Sequence, residues 1–202
     1  MSSPATAFSD CIGSGGVAVF PSDTVYGLAC DPLDRAAVAR LYELKGRSPA
    51  KASAVMWFAL PPAFDALPEL GPRTREALRG LLPGGVTALL ANSRRRFPLA
   101  CGDDPASLGL RVPAVALLAQ VRRPVLQSSA NLAGGVDPRR LEEVPPQILA
   151  GADLVLDAGE LPGTSSTVLD LRRYEADGDW EVLRAGAVPA AQLSVALLSS
   201  SG

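Results

Sequence analysis

The chain has 202 residues, 48% of them apolar, with 19 basic and 21 acidic side chains and a formal charge of −2. That bounds one domain with a sizeable core and excludes a global basic field for nucleic acid. There is no histidine, which excludes Ser-His-Asp and Cys-His mechanisms and any His-ligated metal; the three cysteines, odd in number and without metal-ligand spacing, point to a reduced cytoplasmic protein.

The start, Met1 to Thr6, lacks a basic region ahead of an apolar core, so no signal peptide is expected, and residues 1–14 are expected as a flexible N-terminus. Val17 to Phe20 follows Gly15-Gly16 and reads as a buried strand that turns at Pro21. Asp34 is placed to cap a helix over Arg35 to Leu44, with Ala37, Val38, Leu41 and Leu44 on one stripe and Gly46 as its left-handed stop. Ala54 to Phe58 predicts a second strand. Pro72 to Leu82 predicts a helix that ends at Pro83-Gly84-Gly85, and Val86 to Ala91 a third strand. The polar, turn-rich run from Arg94 to Pro105 is expected as a mobile loop and a candidate lid. Leu108 to Val112 and Val125 to Gln127 read as strands flanking a helix over Pro113 to Val121, and Arg139 to Leu149 as partly helical. Leu154 to Leu156, Thr167 to Leu171 and Trp180 to Leu183 read as strands. Pro189 to Leu198 reads as a closing helix before a frayed tail, Ser199 to Gly202. The alternation predicts a single α/β domain with antiparallel pairs near its end. No apolar run reaches membrane-spanning length.

The cations are unevenly chosen. Arginine occurs 17 times and lysine twice, and both lysines fall in Lys45-Gly46-Arg47-Ser48-Pro49-Ala50-Lys51. An ammonium is a mobile point charge and a guanidinium a planar fork, so this segment reads either as a phosphate site or as a helix end capped by a cation. It lacks Walker-type glycine spacing, so it is not a P-loop. Three more polar clusters stand at strand ends, where ligands of open α/β sheets collect. Ser22-Asp23-Thr24 follows the first strand. Arg111 sits in an apolar strand after Ser107 and must pair with a carboxylate or face a cleft. Gln127-Ser128-Ser129-Ala130-Asn131 sets Ser129 and Asn131 on one side if extended. Each also reads as an ordinary turn, cap or salt bridge. Arg94-Arg95-Arg96, Arg122-Arg123 and Arg139-Arg140 could form a local RNA patch or a solvated face.

In order, Pro21 to Leu28, Lys45 to Lys51, Pro83 to Thr87, Arg111 to Pro113, Ser128 to Gly134, Ser166 to Val168 and Leu183 to Ala187 resemble the motif series of the YrdC family. The resemblance spans about residues 15–188, with 189–202 as a closing helix and tail. It implies a twisted open mixed sheet flanked by helices, with a concave cationic cavity. It also implies synthesis of L-threonylcarbamoyladenylate from L-threonine, bicarbonate and ATP, the product passing to the tRNA threonylcarbamoyl transferase machinery. On that resemblance Lys45, Arg47, Ser129 and Asn131 are the catalytic set. Arg47, Lys51, Ser107, Ser129 and Arg184 would bind ATP, and Thr24, Arg111, Gln127 and Ser166 would bind threonine. No protein metal ligand is implied, Mg²⁺ arriving on ATP. Ala52, Gly85, Ala133 and Ser165 depart from the family pattern, as does the bulky Met56-Trp57-Phe58. Other readings are an RNA-binding or ribosome-assembly factor using the same cavity, a nucleotide-binding member without turnover, and a carbamoyl-adenylate paralogue of hydrogenase maturation. The last occurs within larger chains.

Overall fold

In the computed structural model, residues 2–199 are described. Their order is α1 (Pro4–Gly13), β1 (Ala18–Pro21), β2 (Tyr26–Cys30), α2 (Arg35–Lys45), β3 (Ala54–Met56), α3 (Leu60–Ala66), α4 (Pro72–Leu81), β4 (Val86–Ala91), β5 (Ser107–Arg111), β6 (Val125–Ser129), α5 (Pro146–Gly151), β7 (Leu154–Val155), β8 (Thr167–Asp170), α6 (Tyr174–Asp177), β9 (Glu181–Arg184) and α7 (Ala190–Ser199). The strands form one mixed sheet in the order β7-β1-β2-β6-β3-β5-β4-β8-β9. The pairs β1–β7, β3–β5 and β4–β8 are parallel and the rest antiparallel, so antiparallel pairing runs through the whole sheet.

Strand alternation sends successive side chains to opposite faces, and here the two faces have different fates. Tyr26 and Leu28 of β2, Val55 of β3, Ala88 and Leu90 of β4, Leu108 and Leu110 of β5 and Leu126 of β6 all point into one large core. Leu41 of α2, Leu78 of α4, Ile148 of α5 and Leu193 of α7 cover it. The opposite face is split. One half is a smaller core in which Phe8, Phe20 and Phe58 meet with ring centroids 5.3–6.4 Å apart, joined by Met56 and Val125. The other half is a polar cavity.

The N-terminus is the main correction to the sequence reading. Residues 4–13, expected as flexible, form α1, which builds that smaller core. Ser3 caps it by accepting from the Thr6 amide, Pro4 opens its first turn, and Ala5, Phe8 and Ile12 are buried. Their spacing of three and four residues is the helical signal. The run Arg94 to Pro105 is pinned rather than loose. The Asn92 amide accepts from the Arg96 N–H and donates to the carbonyls of Arg96 and Pro105, Arg96 pairs with Glu69, and Ala100 and Cys101 are buried. The helix expected over Pro113 to Val121 is a single 3-10 turn at Ala116–Leu118, because Pro113 and the β-branched Val112 and Val115 favour extended backbone. Strand β2 and helices α3 and α6 were not anticipated. Of the frayed tail, Ser200 to Gly202 lie outside the described residues.

Helix α2 follows its expected caps. Asp34 Oδ1 accepts from the amides of Ala36 and Ala37 at 2.8 and 3.1 Å, and Gly46 closes the helix at φ 58°, ψ 36°. The buried stripe is Ala37, Val38, Leu41, Tyr42 and Lys45. Lys45 therefore continues an apolar face at i, i+4, i+8 from Ala37, and the helix aims its ammonium inward. The bulky Met56-Trp57-Phe58 is absorbed by both faces, Trp57 meeting Phe97 edge-on at 5.5 Å in the large core.

Candidate functional site

The floor of the polar cavity, about 240 Å³ in volume, is two lateral rows of cross-strand neighbours. Gln127, Ala54, Gly109 and Leu89 are successive partners across β6, β3, β5 and β4. Arg111, Thr87, Val168 and Arg184 are successive partners across β5, β4, β8 and β9. Ala54 and Gly109 keep the middle of the floor low. A Cβ on Gly109 would stand 3.3 Å from the Ala54 Cα.

Arg111 is 3% exposed. One terminal nitrogen donates to Asp23 Oδ1 and to Thr24 Oγ1, both at 2.6 Å. Asp23 reaches on to the Ala114 amide at 3.0 Å, and Ser22 Oγ lies 3.0 Å from Thr24 Oγ1. Both readings of Arg111 therefore hold: it is salt-bridged and it faces a cleft. Its Nε is buried without a hydrogen-bond partner. Burial draws the guanidinium below its ordinary pKa, and Asp23 opposes that shift.

At the other end, Lys45 is 2% exposed. Its Nζ donates to the Asn131 carbonyl at 2.7 Å, to Asn131 Oδ1 at 2.8 Å and to the Ser129 carbonyl. All three ammonium hydrogens are thus used on the turn after β6. Ser129 Oγ donates to Asn131 Oδ1 at 2.7 Å, and Asn131 Nδ2 donates to the Gly135 carbonyl at 2.6 Å. Burial first, then neighbouring Arg47, lowers Lys45 to a pKa of about 8, against a pull upward from Asp137. Arg47 lines the cavity, donates to the Ala52 carbonyl at 2.6 Å and, like Arg111, carries a buried Nε with no partner.

Of the residues singled out in the sequence, Arg47, Arg111, Gln127, Ser129, Ser166 and Arg184 share this wall. Lys45, Asn131 and Thr24 stand behind it and hold wall residues or their turn. Lys51 is exposed and off the wall, offering its carbonyl to the Tyr42 hydroxyl. Ser107 is also off it, donating to Asp104 and accepting from Arg172. Ser166 Oγ lies 2.8 Å from Thr87 Oγ1, and Arg184 donates to the Ser166 carbonyl at 2.9 Å. Thr87 and Asp137 are among the wall residues that escaped the sequence reading. Thr87 was visible only as the last position of a motif. Asp137 precedes Pro138 in a glycine-rich stretch and reads as a turn residue. Gly85 fits its neighbours, since a Cβ there would lie 2.9 Å from the Ala187 Cβ.

Four of the seven arginines proposed as an RNA patch pair with carboxylates. Arg96 pairs with Glu69, Arg123 with Asp31, and Arg139 and Arg140 with Glu160. No helix among the described residues is long and apolar enough to cross a membrane.

The Sua5, YciO and YrdC family model, described as "Telomere recombination", matches residues 10–186. A threonylcarbamoyl-AMP synthase of Stenotrophomonas maltophilia is 34% identical over 163 residues, 74% of this chain and 83% of its own. One from Pyrococcus abyssi is 30% identical over 184 residues, 88% of this chain; the chain spans about half of that relative, 52%. The crystal structure of P. abyssi Sua5 complexed with L-threonine superposes with a TM-score of 0.83 at 25% identity, over 94% of this chain and 56% of that one.

Proposed function

The chain belongs to the Sua5, YciO and YrdC family, and on that premise we propose that it makes threonylcarbamoyl-AMP from L-threonine, bicarbonate and ATP, with release of pyrophosphate. The observation that carries the reading is the pair of buried guanidinium nitrogens, Arg47 Nε and Arg111 Nε, orphaned on the wall of one cavity. A buried donor without an acceptor is costly, and an anionic oxygen removes the cost. Two such donors at opposite ends suit two anionic groups, a carboxylate and a phosphate.

In this reaction the threonine amine captures carbon dioxide or bicarbonate as a carbamate. A carbamate oxygen then attacks the α-phosphorus as pyrophosphate leaves. Charge accumulates on oxygens, so the protein's work is positioning and electrostatic stabilisation. Arg111, held by Asp23 and Thr24, would grip the threonine carboxylate, with Ser166 and Gln127 beside it. Arg47, the Ser129 hydroxyl and Arg184 would meet nucleotide oxygens. Lys45 and Asn131 would keep the Ser129 turn in place. Lys51 and Ser107 lie off the wall, so contacts from them require the nucleotide to reach past its rim.

Among the described residues no three carboxylates or thiols gather into a metal site. A magnesium ion would arrive on the phosphates and neutralise part of their charge. The product would pass to the tRNA-modifying transferase, and the cytoplasm is the compartment this implies.

The test is pyrophosphate release with ATP, bicarbonate and Mg²⁺, with and without L-threonine, for wild type and Arg47→Ala. Release that requires threonine and bicarbonate and collapses in the variant supports the synthase. A folded protein that binds ATP yet shows no threonine-dependent release would instead be a nucleotide-binding member without turnover.

A further inference from the structure

The wall of the cavity carries a feature that a triphosphate site alone does not need. Beside Arg47, Arg111 and Arg184 stands one carboxylate, Asp137. Its Oδ2 accepts from the Ser165 hydroxyl. Among the described residues Oδ1 has no hydrogen-bond partner and the side chain forms no ion pair. The ammonium of Lys45 attracts it from nearby but is not bonded to it, because all three of its hydrogens go to Ser129 and Asn131.

A carboxylate with no direct ion pair on the wall of a polyanion site repels the ligand. It is tolerable where a cation sits between. Of the substrates in the proposed reaction, ATP and bicarbonate are anions, and threonine alone carries a positive group. The position agrees with this. Asp137 is bonded to Ser165, and the next residue, Ser166, lies 2.8 Å by its hydroxyl from Thr87. Thr87 is the direct cross-strand partner of Arg111. A carboxylate and a guanidinium are therefore linked by one short chain of contacts along the same wall. That is the charge pattern of a zwitterion, cation to carboxylate and anion to ammonium.

Building on the synthase reading, we infer that Asp137 is the ammonium acceptor of the amino-acid end of the cavity and sets its preference for an α-amino acid. Ser165 orients it by donating to Oδ2 and leaves Oδ1 for the ligand. Asp137 belongs to none of the motif positions that carry the family resemblance.

The experiment is calorimetric titration of the full chain with two probes, L-threonine and the α-hydroxy analogue (2S,3R)-2,3-dihydroxybutanoate, and separately with MgATP. Wild type, Asp137→Asn and Asp137→Ala are compared. Asp137 is half-buried at the cavity rim, and an unchanged MgATP affinity reports that each variant is folded. Both variants are expected to bind threonine at least about ten-fold more weakly, the loss typical of a charged hydrogen bond. Binding of the hydroxy acid should move by no more than about two-fold, since it has no ammonium to lose. Threonine affinity equal to wild type in both variants overturns the assignment and leaves the synthase reading intact. A loss of MgATP affinity with threonine binding unchanged also overturns it, by giving the carboxylate to the nucleotide's metal. Wild type that binds MgATP but not threonine overturns the synthase reading itself and this inference with it.

Discussion

The two ends of the cavity solve the same problem, a buried cation, in opposite ways. At the Arg111 end the charge is met inside the protein. Asp23 lies 2.6 Å away with its side chain only 10% exposed, and Thr24 adds a second bond. At the Lys45–Arg47 end the two cations form no ion pair among the described residues and hydrogen-bond to neutral oxygens: carbonyls of Ser129 and Asn131, the Asn131 amide and the Ala52 carbonyl, with Asp137 acting on Lys45 only from a distance. A site neutralised in advance binds a group of low net charge through geometry. A site left positive binds a polyanion through field strength. On the proposed function, the first end suits a zwitterionic amino acid and the second suits phosphates. Substitutions at the two ends should therefore fail differently.

The largest effect is expected at the paired end. Arg111→Met leaves Asp23 buried without its cation, which costs about 3–5 kcal/mol. Thermal unfolding should show a drop of roughly 10 °C. Adding Asp23→Asn should restore part of that loss, because it removes the stranded charge. Full additivity of the two substitutions would show that the ends are not distinguished by internal pairing.

At the unpaired end, Lys45→Met strips donors from two buried oxygens and one partly buried one but also relieves a desolvated ammonium. The net cost should be smaller, about 1–3 kcal/mol. It should also depend on pH. With Lys45 lowered to about 8 from the usual 10.5, the native state releases this proton before the unfolded state does. Unfolding between pH 8 and 10.5 then takes up a proton, so raising the pH favours the native state. The Lys45 contribution is least below pH 8 and grows until about 10.5. Urea denaturation of both proteins across this window should show wild type gaining on Lys45→Met. A flat difference would mean that the three hydrogen bonds hold the ammonium charged and outweigh its burial.

Much of this was legible in the chain. The caps of α2, the strands β1, β3, β4, β5, β6 and β8, and the closing helix follow from local chemistry acting over a few residues. What was misread depended on partners far away in sequence. Residues 4–13 have the cap and spacing of a helix, yet only Phe20 and Phe58 give Phe8 something to pack against. Arg111 could be narrowed to a pair or a cleft, but that it is both depends on Asp23, 88 residues earlier. Lys45 was singled out by its rarity, while the direction of its side chain follows from a helical stripe that it extends. Asp137 has no local signal, because an Asp before Pro in a glycine-rich stretch is an ordinary turn until the sheet brings Ser165 against it.

Arg47→Ala separates ligand from fold. The side chain makes one bond to the Ala52 carbonyl, so stability should change by less than about 1 kcal/mol. ATP affinity should fall roughly ten- to hundred-fold, while threonine affinity stays within about two-fold. Equal losses for both ligands in titration calorimetry would merge the two ends into one site.

The smallest effect is expected at Lys51, which shares its segment with Arg47 but stands exposed and off the wall. An exposed ammonium acts on a ligand only through screened water, with a Debye length of about 8 Å at physiological salt. Lys51→Ala should therefore weaken ATP by no more than about two-fold at that salt. The loss should be larger at about 0.01 M ionic strength, where the screening length is about 30 Å. Titrations at the two salt concentrations decide the matter. A ten-fold loss that persists at high salt would mean that Lys51 reaches the phosphates directly. The segment after α2 would then have to fold inward around the nucleotide, and the positive end of the cavity would be completed only on binding.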